Sequence, residues 1–301
     1  MRKEALPVLA ESEAALRGGR RLLAAERFAA ARADLDAARY VRERAAAGPV
    51  DQAHFEAEWK RMAEVLGPHL ARPGPAALDG VQPAAVRALG EAALLQVRQY
   101  YESSLEYGRN TMPELGLFYL GSARAQRDFA LWCRDQGGAQ DAQAAPTYRE
   151  LAPDLDELDA AILAAYRPPA SIDRHAAFIA ASAAVKQARE LDAAGLRRGA
   201  LFLYLQAALE SAPLRAAAGR REASAAALAG RLRELEARLA GDVDHSIGRL
   251  FVETAYADPE VAAAVADDVL PRYFAALQPR ARPPARPAPR VTVTLVRWPF
   301  T

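Results

Sequence analysis

The sequence holds one cysteine, three lysines and four histidines among 301 residues. The lone thiol, Cys133, excludes an intramolecular disulfide framework and any thiolate zinc cluster. The histidines are His54, His69, His175 and His245; no two lie within reach on one helix, and no Glu-x-x-His pair occurs. A helix-borne metal site therefore has no candidate ligands, and neither metal nor cofactor is expected. Charge of one sign is not in excess, with 39 basic against 38 acidic side chains. A nucleic-acid binder ordinarily shows a clear basic surplus, so no nucleic-acid partner is expected. Long apolar runs are missing too, since the longest uncharged stretches, such as 199–209, hold only eleven residues. They fall short of the roughly 18–20 apolar residues that span a membrane. The sequence contains no Gly-x-Ser-x-Gly elbow, phosphate loop or dinucleotide fingerprint. No residue is nominated as catalytic. At the N-terminus, Glu4, Glu11 and Glu13 interrupt what a signal peptide would need as an apolar centre, and the expected location is the cytoplasm.

What is present favours helix. Alanine makes up about a quarter of the chain, arginine supplies nearly all the basic charge, and β-branched residues are scarce before the last dozen positions. Prolines and glycines divide the chain into helices predicted over 4–17, 20–46, 51–66, 83–107, 113–136, 154–166, 171–194, 197–211, 214–240 and 244–277, the last broken near Asp258-Pro259. Thr111, Pro113 and Glu114 form a capping box, and Asp154 with Glu157 a looser one. Asp51 before His54, and Asp242 and Asp244 before His245, read as helix-start caps and not as metal ligands. Leu228, Leu232, Leu235 and Leu239 form a stripe that packs into its own bundle. Cys133, beside Trp132 on an apolar helix, reads as packed and not as reactive.

Two proline- and glycine-rich stretches, 67–83 and 137–153, interrupt a helical domain predicted over 1–278. Residues 279–290 (PRARPPARPAPR) cannot be helical and form an extended linker, at about 3.1 Å per residue. Residues 291–301 (VTVTLVRWPFT) alternate and are β-branched, the pattern of a terminal strand with no partner strand in the chain. That strand-like tail reads as a docking peptide with Val293, Leu295, Trp298 and Phe300 as anchors, for a partner or for a second copy.

A repeat is visible in the helices. Gly195, Ala200, Tyr204 and Ala207 follow at intervals of five, four and three residues, and Gly19, Ala24, Phe28 and Ala31 repeat those intervals. Gly116, Leu120 and Ala123 give a third, partial set without a turn glycine. Ala200 and Ala207 lie two turns apart on one face with Tyr204 between them, and small residues at such positions let helices approach closely. The pattern resembles the tetratricopeptide repeat. That resemblance implies antiparallel helical hairpins stacked so that a concave face binds a peptide or protein. Val8 and Ala184 stand where the family carries a larger residue, and a non-repetitive helical bundle accounts for the same helices.

The densest aromatic region runs from Tyr100 to Trp132. Its core reading assigns Tyr101, Phe118 and Phe129 to the interior. Its binding reading places Tyr107, Arg109, Asn110, Glu114 and Tyr119 at a recognition surface, because phenol rings beside charged groups suit one. The function expected is a non-catalytic interaction or scaffold module with a helical groove and a docking tail. The alternative is a helical enzyme or small-ligand binder whose site is built from scattered polar residues.

Overall fold

The computed structural model describes residues 2–71, 83–109, 112–136, 146–215, 225–241 and 243–277, and these form an all-α body. In chain order the helices are α1 (Arg2–Arg17), α2 (Arg21–Ala46), α3 (Gln52–Leu66), α4 (Ala84–Arg109), α5 (Pro113–Asp135), α6 (Ala152–Ala165), α7 (His175–Ala193) and α8 (Arg197–Glu210). There follow the short α9 (Ala212–Arg215), α10 (Ala225–Arg238), α11 (Ser246–Ala257), α12 (Pro259–Ala264) and α13 (Leu270–Ala276). No strand forms among the described residues; Tyr148 and Leu277 make an isolated antiparallel bridge. The linker and the strand-like tail, with Val293, Leu295, Trp298 and Phe300, lie outside the described residues.

The helices pair as hairpins, α1 with α2, α4 with α5 and α7 with α8. Two of the turns are built alike. Gly19 and Gly195 have φ of 75° and 77°, a conformation that costs glycine little. The next residue's N–H then closes back over five residues, Arg20 to the Ala15 carbonyl and Leu196 to that of Leu191, each at 2.9 Å. This is the Schellman closure of a helix end. In the third hairpin Ala200, Tyr204 and Ala207 are buried, as are Ala181, Ala184 and Ala188 of α7. The first hairpin departs from the expected pattern: Ala24 and Ala31 are buried, but Phe28 is 48% exposed. Neighbouring helices leave that edge of α2 open, so the aromatic fills no groove there. Gly116 lies inside α5, where the ring of Phe55 rests on it and on Gly108.

Helix α4 is central and packs on α3, α5, α7, α8 and α11. Every residue from Ala84 to Leu95 is buried except Val86 and Arg87. The first hairpin joins through α2, whose Ala37 meets α5 at Gly121; the third joins through α8, whose Gly199 meets α4 at Glu91. Leu232 and Leu239 of the predicted stripe are buried, with Leu228 and Leu235 packed against the same core. Asp258 accepts from the Glu260 N–H and starts α12 at the expected break. Further on, Pro271 has no N–H and its ring crowds the carbonyl four residues back. The helix accommodates it by widening into a π-turn at Val265–Val269.

Burying helix ends leaves first-turn N–H groups without acceptors. In this chain the acceptors come from distant sequence. Glu253 of α11 accepts from the Leu23 N–H in α2 at 2.8 Å. Asp244 and Ser246 accept from Ala84 and Ala85 at the start of α4. Asp192 of α7 accepts from Leu151 just before α6 at 3.2 Å, and Glu91 of α4 accepts from Gly199 of α8 at 2.6 Å. Each carboxylate also complements the positive end of the helix dipole. Local caps behave less uniformly. Asp51 accepts from the His54 N–H at 2.8 Å as expected, and Asp244 accepts from its neighbour Ser246 at 2.9 Å. Asp242 and Thr111 lie outside the described residues, and α5 starts at Pro113 behind Met112, with no side-chain cap there. Asp154 does not cap: α6 begins two residues earlier, at Ala152, and Asp154 pairs with Arg149.

Candidate functional site

A crevice of about 310 Å³ opens where the three hairpins meet. Helix α2 contributes Glu26, Ala29, Ala30, Ala33 and Asp34, which share a face by their spacing of three and four. Helix α4 contributes Leu89, Ala92, Ala93, Gln96 and Tyr100 on the same rule. Gln126 and Phe129 come from α5, and Phe202, Leu203 and Gln206 from α8. The hollow exists because alanines occupy the positions where larger side chains would close it. Phe129 and Phe202 are held from behind, Phe129 stacked on Trp132 with ring centroids 5.7 Å apart and Phe202 against Phe251 at 6.2 Å.

Among the described residues, the polar side chains that line the crevice are carboxylates, amides and a phenol. Burial raises the Glu26 carboxyl above its ordinary value; Arg27 opposes that shift, while Glu11 and Glu210 add to it. The Tyr100 hydroxyl is raised by burial and by the charge of Asp34. A second, apolar hollow of about 590 Å³ lies further along α2, lined by Ala38, Val41 and Val50 and by Met112, Pro113, Glu114, Leu115 and Phe118.

The predicted site residues separate into three places. Tyr107 and Tyr119 come together, stacked at 4.9 Å and nearly parallel, and Tyr119 in turn approaches Tyr100 at 6.0 Å. This ladder leads to the crevice wall, because Tyr100 lines it. Arg109 is exposed at the end of α4, and Glu114 is exposed at the second hollow. Asn110 lies outside the described residues. Of the residues assigned to the interior, Tyr101 and Phe129 are buried, and Phe118 is half-buried at the second hollow. Glu26, Asp34, Gln96, Gln126 and Gln206 were not singled out by the sequence. Gln206 carries a usable signal: it is the one polar amide in an otherwise apolar run from Ala200 to Leu209.

The carboxylates buried among the described residues are Glu58, Glu91, Asp192 and Asp244. Three hold helix starts, as above, and Glu91 and Asp192 also pair with Arg87 and Arg197. Glu58 accepts from the Tyr40 hydroxyl at 2.6 Å and from Arg61 at 2.8 Å. Burial alone would raise the Glu58 carboxyl, but the bonds from Arg61 and Tyr40 and the charge of Arg44 bring it to about 2. Its arrangement is a cross-brace between α2 and α3. Cys133 is fully buried, and burial pushes its thiol up to about 12, far from thiolate chemistry at neutral pH. His245 lies 2.8 Å from the Tyr273 hydroxyl and joins α11 to α13. Among the described residues no group of three or more His, Cys, Asp and Glu side chains is placed to hold a metal ion, and no helix is long and apolar enough to cross a membrane. No protein-family model, curated protein or solved structure matches this chain.

Proposed function

We propose that this protein is a non-catalytic binding module that receives an extended peptide or protein segment along the α2 face of its three hairpins. The crevice between α2, α4, α5 and α8 carries the proposal. Its apolar floor and converging amides and carboxylates suit a bound main chain, which needs donors and acceptors as well as a dry contact. The second hollow continues the same face of α2 and supplies an apolar pocket for a further side chain. In this reading the hairpins act as tetratricopeptide-like units whose concave side is the crevice. Residues 291–301 act as a tethered docking peptide for a partner or a second copy. The commitment of each buried carboxylate to a helix start or an arginine supports binding over acid–base chemistry.

Selection of peptides from a random display library against the full chain tests this. Selected peptides are expected to bind one per chain and to slow hydrogen exchange in α2 and α8. Ala33→Trp, which fills the crevice, should weaken that binding at least tenfold while leaving far-UV circular dichroism unchanged. Binding that is insensitive to Ala33→Trp, or protection confined to other helices, would remove the crevice from the function.

A further inference from the structure

The turn between α1 and α2 carries two glycines in succession, and backbone conformation explains only one of them. Gly19 takes the positive φ that closes α1. Gly18 does not; what it provides is room. The guanidinium of Arg20 folds back onto it, with one terminal nitrogen 2.8 Å from where a Cβ would stand. Held this way, Arg20 is half-buried and its Nε is shielded from solvent. Among the described residues the guanidinium donates no hydrogen bond and enters no ion pair. A guanidinium has five donors, and taking them out of water without acceptors is costly.

Arg20 lines two clefts, of about 490 Å³ and about 470 Å³. In the smaller one Arg27 is already paired, with Glu26 at 3.4 Å and Glu11 at 3.7 Å, and Asp258 caps α12. The larger cleft lies between the turn, the end of α10 and the face of α11 that carries Arg249, Val252, Glu253 and Tyr256. Its carboxylates have donors: Glu253 accepts from the Leu22 and Leu23 N–H groups, and Glu236 from the Tyr256 hydroxyl at 2.9 Å. Arg249 donates to the Leu239 carbonyl at 3.0 Å through one terminal nitrogen. Burial raises the Glu253 carboxyl, and the charge of Arg20 opposes that shift without a bond between them. What the larger cleft has in surplus is therefore guanidinium donors, beside the half-exposed ring of Tyr256.

We propose that this cleft binds a small monocarboxylic acid, with Arg20 as its anchor and Arg249 as a second donor. The planar fork of a guanidinium matches the two oxygens of a carboxylate, which would supply the acceptors that Arg20 lacks. A single negative charge suits the lining. A phosphate monoester brings a second charge against Glu253 and Glu236 and is disfavoured. The hydrocarbon body of the acid lies against Val252 and the Tyr256 ring, and the volume is that of a small-molecule site. The cleft shares no lining residue with the crevice, so the two readings stand or fall separately.

Calorimetric titration of the full-length protein with hydrocinnamate, with its neutral amide and with phenyl phosphate tests the site. Hydrocinnamate is expected to bind one per chain and at least tenfold tighter than either of the others. Arg20→Gln should weaken it at least tenfold, and Arg20→Lys, which keeps the charge but not the fork, at least threefold. Gly18→Ala leaves Arg20 in the chain and only pushes its guanidinium aside. It should weaken hydrocinnamate at least fivefold with unchanged circular dichroism and melting temperature, which separates loss of the site from loss of the fold. Ala33→Trp, in the crevice, should leave hydrocinnamate binding unchanged. The proposal is overturned if hydrocinnamate does not bind, if the amide or phenyl phosphate binds as tightly, or if binding is indifferent to both Arg20→Gln and Gly18→Ala. Loss of binding through Ala33→Trp would place the probe in the crevice and overturn it as well.

Discussion

At Gly108 the ring of Phe55 lies where a side chain would begin: a Cβ there would come within 2.2 Å of the ring, and one at Gly116 within 2.6 Å. These two glycines form a socket across the α4–α5 hairpin, and Phe55, fully buried, ties α3 into it. Gly108→Ala is therefore expected to force Phe55 out of place and cost about 1–3 kcal/mol by chemical denaturation, even though alanine is the better helix former. A gain in stability would show that Phe55 can move without loss and that the socket is not specific. The glycines were visible in the sequence, but nothing local distinguishes Gly108 from a helix end. Its role depends on an aromatic more than fifty residues earlier in the chain.

At the scale of elements, the remote caps bind the ends of α2, α4, α6 and α8 to the helices that face them. Glu253 and Leu23 are separated by 230 residues, yet their bond closes the first turn of α2. Glu253→Ala is expected to cost about 0.5–2 kcal/mol and to speed hydrogen exchange in that turn, whereas Glu253→Gln, which keeps an acceptor, should lose less. If alanine and glutamine prove equally harmful, the charge against the helix dipole matters more than the bond itself. The hairpin turns present the opposite case. Gly19 and Gly195 end helices by a backbone conformation that needs no distant partner, and both were legible from spacing alone. Phe28 was misjudged for the same reason that Gly108 was overlooked. Position on a stripe follows from helical periodicity, but whether that stripe is covered depends on a neighbouring helix.

For the whole molecule, acid stability follows from Glu58. Its folded-state pKa of about 2 lies below the ordinary value of 4.5, so its contribution is complete above about 4.5 and is lost as pH falls towards 2. Glu58→Gln is expected to cost about 1.5–3 kcal/mol at pH 7 and to flatten the decline of stability between pH 4.5 and 2. The check is denaturation followed across that range for both proteins; a parallel decline in the two would assign acid unfolding to other carboxylates. Arg61 and Arg44 approach Glu58 from α3 and α2, so the brace reports on the docking of those helices and not on any one of them.

The helices, the two glycine turns, the break at Asp258-Pro259 and the absence of disulfides were determined by sequence alone. Each is set within a few residues, by propensity, by the 3.6-residue period or by a residue that cannot continue a helix. The crevice, its amide and carboxylate lining, the aromatic ladder and the distant caps were decided only by tertiary structure. A cavity is the space that side chains on α2, α4, α5 and α8 fail to fill, and it depends on how those helices cross and rotate against one another. Alanine on a single helix looks the same whether a neighbour closes over it or leaves room for a ligand.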